Sequence, residues 1–237
     1  MVNYRTIVPP LAAMLAVVLF ARLGIWQLHR ADEAKALQAG VAANAAAAPV
    51  QLDAAALGGD LDALHWRRVE ARGAWEGGRQ VLLDNQVSQG VAGYLVYTPL
   101  RIPGCRCAVL VNRGWVPGGP RRDIPPDVGL LPATGSVRGI AAPAPASGFG
   151  VRDDGGELLG TGLLRVQKLD AVRLSHWLGI RVLPLTVLLA PDQPDGFRRD
   201  WRPPEGRADR NLAYAAQWFV FAIIAAFMAL RLNSARR

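Results

Sequence analysis

Two long uncharged runs, one near each end of the chain, limit what it can fold into. Ile7–Phe20 holds no charged residue, Arg22 interrupts, and Leu23–Leu28 carries the apolar run on to His29. Ile7–Leu28 is roughly 22 residues, about 33 Å as a helix, which is enough to cross a bilayer. Pro9 and Pro10 fall in its first turns, where missing N–H groups matter least. Leu212–Leu230 is also free of charge, and about 19 residues is close to the minimum for a span. Tyr214 and Trp218 lie near its start, where an aromatic belt would sit. The reading is a membrane protein in which two transmembrane helices flank one extracytoplasmic domain. A mean hydropathy of +0.16 with only 19% charged residues agrees with it and excludes a disordered chain. A cleaved signal peptide is the competing reading of the first run, but the small-residue tract Ala42–Ala48 lies too far downstream to be its cleavage site. No Arg- and Ser-rich presequence stands before the first run, which argues against a mitochondrial precursor.

Orientation follows from the short flanks. Arg5 precedes the first run, and Arg231, Arg236 and Arg237 follow the second, which places residues 1–6 and 231–237 in the cytoplasm. Arg198, Arg199, Arg202, Arg207 and Arg210 point the other way, but charge in a long loop counts for little. In a bacterium the intervening domain is then periplasmic and the membrane is the inner one.

The expected spans are 7–28 and 211–230. Residues 29–65 read as a helical continuation, Arg30–Gln38, followed by an Ala-rich linker to Pro49. Residues 66–210 read as a mainly antiparallel β domain of α+β class. Val69, Ala71, Gly73 and Trp75 keep a period of two, the mark of a half-buried strand. Gln80–Leu83, Tyr94–Leu100, Ala108–Asn112, Val137–Ala141, Leu163–Leu169 and Arg181–Leu189 are further strands, separated by Gly- and Pro-containing turns. Asp170 is placed to cap a short helix to Leu178, with Gly179 as its stop. The close strand spacing favours antiparallel pairing over βαβ units. Pro117–Leu131 and Ala142–Glu157 read as excursions. Of Trp75, Tyr94 and Trp115, at least two are expected in the core.

Lys+Arg outnumber Asp+Glu by 27 to 19, and all but Lys35 and Lys168 of the basic residues are arginine. They are scattered, with no nucleic-acid motif beside them. There is no G-x-S-x-G elbow, Walker loop, G-x-G-x-x-G after a strand, or H-E-x-x-H, so no enzyme class is indicated. Asp84-Asn85 and Asp153-Asp154 read as turn residues. His29, His65 and His176 are too scattered for a triad or a zinc site. Two cysteines exclude a disulfide scaffold. Cys105 and Cys107 share a face if they begin a strand, which suits half a copper(I) cage. The plainer reading is a strained or reduced pair in a loop between strands.

Polar groups inside a span cost free energy unless partnered. With Leu28 and Asn211 as outer edges, Arg22 and Gln217 each lie about 9 Å inward, at matching depth, while Gln27 stays near the surface. Tyr214, Gln217 and Phe221 fall on one helical face. Gln217 bonding across to the first span is one reading. The other is a pocket for an acidic, apolar ligand such as haem, whose macrocycle wants Trp and Phe and whose propionates want Arg.

Six segments occur in a telling order: Leu23-Gly24-Ile25-Trp26-Gln27-Leu28-x-Arg30 with Lys35 following; Val81-Leu82-Leu83-Asp84-Asn85-Gln86; Gly90-Val91-Ala92-Gly93-Tyr94-x-Val96-x-Thr98-Pro99-Leu100; Val111-Asn112-Arg113-Gly114-Trp115-Val116-Pro117; Gln167-Lys168-Leu169-Asp170; and Tyr214-Ala215-x-Gln217-Trp218-Phe219. With two spans around them, they resemble the surfeit locus protein 1 family over nearly the whole chain. The resemblance implies an inner-membrane chaperone, not an enzyme. Its task would be to assist haem a insertion into, or stabilise, the catalytic subunit of a haem-copper cytochrome c oxidase in the respiratory chain. It implies that subunit as partner, haem a synthase as a second partner, lipid around the helices and no nucleic acid. It implies haem a as a transient cofactor, and the residues expected around it are His29, Trp26, Arg22, Asn211, Tyr214, Gln217 and Trp218. The chain departs from the family at Asn211, where a histidine proposed as haem ligand is usual. An amide is a poor iron ligand beside imidazole, and the nearest imidazole is His29. A structural scaffold without haem, and copper or thiol-redox handling through Cys105 and Cys107, are the alternatives.

Overall fold

The computed structural model describes residues 4–119, 121, 124–145, 155–194, 197–201 and 207–234. In chain order the elements are α1 Tyr4–Ala46, β1 Val50–Gln51, α2 Ala54–Gly58, a 3-10 turn Asp62–Leu64, β2 Arg68–Trp75, β3 Gln80–Ser88, β4 Val91–Arg101, β5 Cys107–Pro117, β6 Thr134–Pro143, β7 Glu157–Leu159, β8 Leu163–Val166, α3 Ala171–Leu178, β9 Arg181–Leu189 and α4 Ala208–Ser234. Two compact units result, Met1–Gly40 with Pro204–Arg237, and Val41–Pro203. As the sequence indicated, two apolar helices flank a mainly strand-built domain.

The first unit is the helix pair α1 and α4. Only 6% and 11% of their most apolar stretches are buried, so neither is the core helix of a soluble protein. Val8, Leu15, Val18, Ile223 and Phe227 are more than half exposed, a surface that suits lipid and not water. The contact face of α4 is small: Ala208, Ala215, Ala222 and Ala225 are buried. Small residues let membrane helices approach, since packing must hold them where the hydrophobic effect does not. Gly24 does the same on α1, because a Cβ there would lie 2.8 Å from the Phe219 ring. Phe20, Trp218 and Phe221 cluster beside this contact, with ring centroids 5.7 and 5.8 Å apart.

The second unit is one nine-stranded sheet in the order β1-β2-β6-β9-β5-β4-β3-β8-β7. It curls until β2 meets β4 through Ala74↔Arg101 and Trp75↔Leu100, closing β2, β6, β9, β5 and β4 into a ring. This is the plan of a small, partly open five-stranded Greek-key barrel. Gly73 permits the closure: any Cβ there would collide with the carbonyl oxygen of Arg101. The ring encloses Val69, Ala71, Leu100, Val109, Val137 and Leu185. Most pairings are antiparallel, but β1–β2, β3–β8 and β5–β9 are parallel. Chain spacing hid these, because the partners are joined by long routes and not by neighbouring turns. β3, β8 and β7 extend from β4, and α3 packs Leu174 and Leu178 over Val81, Tyr97 and Leu110. Asp170 caps α3 by accepting from the Arg173 N–H at 3.0 Å, and Gly179 ends it in the left-handed region, as expected.

Five expectations need correction. The Ala-rich tract is not an extended linker: α1 runs through it to Ala46, since alanine is the best helix former. Residues from Val41 already belong to the β unit, where Val50 pairs with Val69 and the Asn44 amide donates to the His65 carbonyl at 2.8 Å. Asp84-Asn85 is no connecting turn. It forms a bulge inside β3, with Asn85 at φ 60° and the Asp84 carboxylate accepting the Asn85 N–H at 2.7 Å. Cys105 and Cys107 are not reduced but joined by a disulfide, so neither offers a thiolate to copper. Asp153-Asp154 lie outside the described residues. Of the three aromatic residues expected inside, Tyr94 is buried, while Trp75 and Trp115 are half-buried.

Candidate functional site

On α1, Trp26, Arg30, Glu33 and Leu37 recur every three or four residues and so share one helical face, with Gln27 and Ala34 at its margin. Arg207, just before α4, and Arg210, Asn211 and Tyr214 on it do the same. Within the helical unit these two stripes line a groove of about 850 Å³. Arg30, Arg207 and Arg210 are exposed in it. Glu33 is its acidic residue and is engaged by Arg30 at 2.5 Å. The wall is therefore cationic, with an indole and a phenol beside the guanidinium groups. Such a wall takes a ligand with an acidic end and a flat apolar body, the acid paired by Arg forks and the body laid against aromatic faces.

The structure divides the residues proposed from sequence. Trp26, Asn211 and Tyr214 line the groove. Trp218 belongs to the aromatic cluster with Phe20 and Phe221. Arg22, His29 and Gln217 are exposed and do not line the groove. His29 follows Trp26 by three residues and precedes Glu33 by four, which sets it at the border of the stripe, exposed and outside the groove lining. Sequence reasoning missed Arg30, Arg207 and Arg210. The spacing Arg207, Arg210, Asn211, Tyr214 was the available signal, one face of a helix beginning just before the second span.

A second polar constellation lies inside the β unit. Arg113 on β5 is 2% exposed, yet it donates to the Gln80 side-chain oxygen at 2.7 Å, and the Thr98 hydroxyl donates to the same oxygen at 2.9 Å. The Arg113 guanidinium lies 4.7 Å over the Phe197 ring. Beside it the Asn112 amide donates to the Tyr97 hydroxyl at 2.9 Å. Burial pushes the Tyr97 hydroxyl well above its usual range and the Asn112 bond offsets this in part, so the phenol stays neutral. Gln80, Thr98 and Asn112 are buried as well. This constellation holds strands together.

The family model of the SURF1 family matches residues 14–223. The chain belongs to the SURF1 family. A comparison with curated proteins returned no match. The match runs from within α1 to within α4, so it takes in both apolar helices and the whole β unit. The SURF1 family is associated with cytochrome c oxidase assembly and is not known as an enzyme family. Of the segments that carried the resemblance, most of Val81–Leu100 and all of Val111–Pro117 lie in β3, β4 and β5, where Thr98, Asn112 and Arg113 serve the sheet. Trp26, Arg30 and Tyr214 instead face the groove.

Haem a, the cargo implied by the family resemblance, fits this groove at one end. Arg30, Arg207 and Arg210 suit propionates, and Trp26 and Tyr214 suit the macrocycle. The iron end does not fit. Among the described residues the groove lining holds no imidazole, thiolate or thioether, and no cluster of three or more His, Cys, Asp or Glu could hold a metal ion.

Proposed function

We propose that this protein helps mature the catalytic subunit of a haem-copper cytochrome c oxidase, steadying it while haem a enters. The arginine-lined groove meets the acidic end of the cargo, and none of the described groove residues ligates the iron. The single observation behind this reading is the cationic, aromatic groove in a chain of an oxidase-assembly family. The same reading places the helices in the inner membrane of a bacterium, both termini in the cytoplasm and the β unit in the periplasm. The disulfide supports that side, since disulfides persist in oxidising compartments. The catalytic subunit is the partner, and haem a synthase is the natural donor of the cargo.

The decisive experiment begins with deletion of the gene. Loss of the oxidase haem band from membrane spectra, and of oxidase activity, is the expected result; retention of both overturns the reading. A phosphatase fused after Gly90 should be active and one fused after Arg237 inactive. A second reading, a scaffold that never touches haem, is favoured by the missing axial ligand. Protein co-expressed with the haem a biosynthetic enzymes separates the two. If it purifies with haem, and Arg207→Ala/Arg210→Ala lowers the amount while His29→Ala does not, the groove reading holds. Wild type without haem gives the scaffold.

A further inference from the structure

The Cys105–Cys107 bond closes a loop of unusual shortness, with a sequence separation of 2. A disulfide stabilises chiefly by restricting the unfolded chain, and the effect shrinks with the loop it closes. Little of that is available here. The turn is already closed without sulfur: the Cys105 N–H donates to the Ile102 carbonyl, and the Ile102 N–H to the Cys107 carbonyl. The flanking strands β4 and β5 pair without a shift from Tyr97↔Asn112 to Arg101↔Ala108, next to the turn. Stability therefore does not explain the bond.

Its surroundings are those of an exchanging disulfide. Cys107 is 1% exposed and packed in the ring core, while Cys105 is half-buried against its edge, so Cys105 is the more accessible of the two residues. Arg106 stands between them, and Arg181 is the register partner of Cys107 on β9. Both are exposed, as is Arg101, whose guanidinium is taken by Glu76. Cationic neighbours favour the thiolate forms on which exchange depends.

We propose that Cys105 and Cys107 are an exchangeable redox pair that accepts two electrons from a protein dithiol brought to the β4–β5 turn. A thiolate of that dithiol attacks Cys105 Sγ. The Cys105–Cys107 bond breaks, and Cys107 takes the electron pair and a proton. The second thiol of the partner, deprotonated, then attacks its own sulfur in the mixed disulfide and releases Cys105 as thiolate. One disulfide and one dithiol go in, and one of each comes out with their places exchanged. The core beneath needs no rearrangement, because the turn keeps its backbone bonds. This site is distinct from the groove and does not rest on the oxidase reading.

The test uses the full chain in detergent and glutathione as probe. Reduced glutathione at neutral pH should open the bond in the folded wild type. After an acid quench and unfolding, mass spectrometry should show two alkylated cysteines, with the melting temperature unchanged. Oxidised glutathione should label Cys107→Ser, which leaves the more accessible Cys105, roughly tenfold faster than Cys105→Ser. Three outcomes overturn the proposal: a bond that survives until denaturant is added, reduction that lowers the melting temperature, or equal labelling of the two variants. Isolation of the wild type as a dithiol under air overturns it as well.

Discussion

Arginine appears in this protein in two opposite settings. Arg113 is sealed inside the β unit, 2% exposed, with Gln80, Thr98 and the Phe197 ring around it. Arg30, Arg207 and Arg210 stand exposed along a groove of the helix pair. The same guanidinium chemistry has opposite consequences because burial fixes who the partners are. An arginine taken out of water must be met by fixed acceptors, and removing it takes a buried donor from them. An exposed arginine keeps its hydration until a ligand replaces it. The first kind holds a fold together, and the second is available for binding.

Truncation should expose this difference most strongly. Arg113→Ala takes a buried donor from the Gln80 and Thr98 oxygens, which stay bonded to each other, and empties a large volume, a loss of about 3 kcal/mol or more. Arg210→Ala should change stability by less than about 0.5 kcal/mol. Denaturant melts of the two variants, read by tryptophan fluorescence, check this; equal losses would break the comparison. Next in size is Gly24→Leu, which drives a side chain into the Phe219 ring and overpacks the helix pair by about 1–3 kcal/mol. The double variant Gly24→Leu/Phe219→Ala should recover part of the loss in melting temperature. If it recovers none, the close approach at Gly24 is not what limits the pair. Smaller again is Asp170→Ala, which removes the cap of α3 for about 1 kcal/mol.

The cap also predicts a pH dependence. The Arg173 N–H is the largest influence holding the Asp170 carboxyl below the usual carboxylate value, with burial working weakly against it. A depressed folded pKa adds stability above the unfolded value, near 3.9 as an order-of-magnitude reference. That contribution fades as pH falls through the lower folded value. The difference between wild type and Asp170→Ala should therefore be constant from neutral pH to about pH 5 and shrink below about pH 4. A constant difference down to about pH 2 would contradict the assignment. The smallest expected effect is that of His29→Ala, which should leave any bound haem and its spectrum unchanged.

How far the sequence disclosed all this depended on whether a signal was local. The apolar runs, the Asp170 cap, the Gly179 stop and the strand Arg181–Leu189 are written in neighbouring residues, and the structure has them there. Ring closure is not local. It depends on Gly73 meeting Arg101 across 28 positions of chain (101 − 73), and no period records that. The bulge at Asn85 was read as a turn because a left-handed residue looks alike in both settings. Trp26 and Tyr214 could be named because aromatic residues at a span edge are conspicuous, and Asn211 because the family resemblance implies a histidine in its place. Arg30, Arg207 and Arg210 were lost among scattered arginines, and only the helical register gathers them. His29 is suggested by its imidazole, its depth and its place three residues after Trp26, and it stands exposed outside the groove lining.

The central claim is that the exposed arginines, and not an iron ligand, carry the function in oxidase assembly. Its most direct test is complementation of a deletion strain with Arg207→Ala/Arg210→Ala, scored for protein abundance and for the oxidase haem band in membranes. The account predicts wild-type abundance with the haem band lost, while His29→Ala restores it in full. A double-arginine variant that is equally abundant and restores the band completely would contradict it.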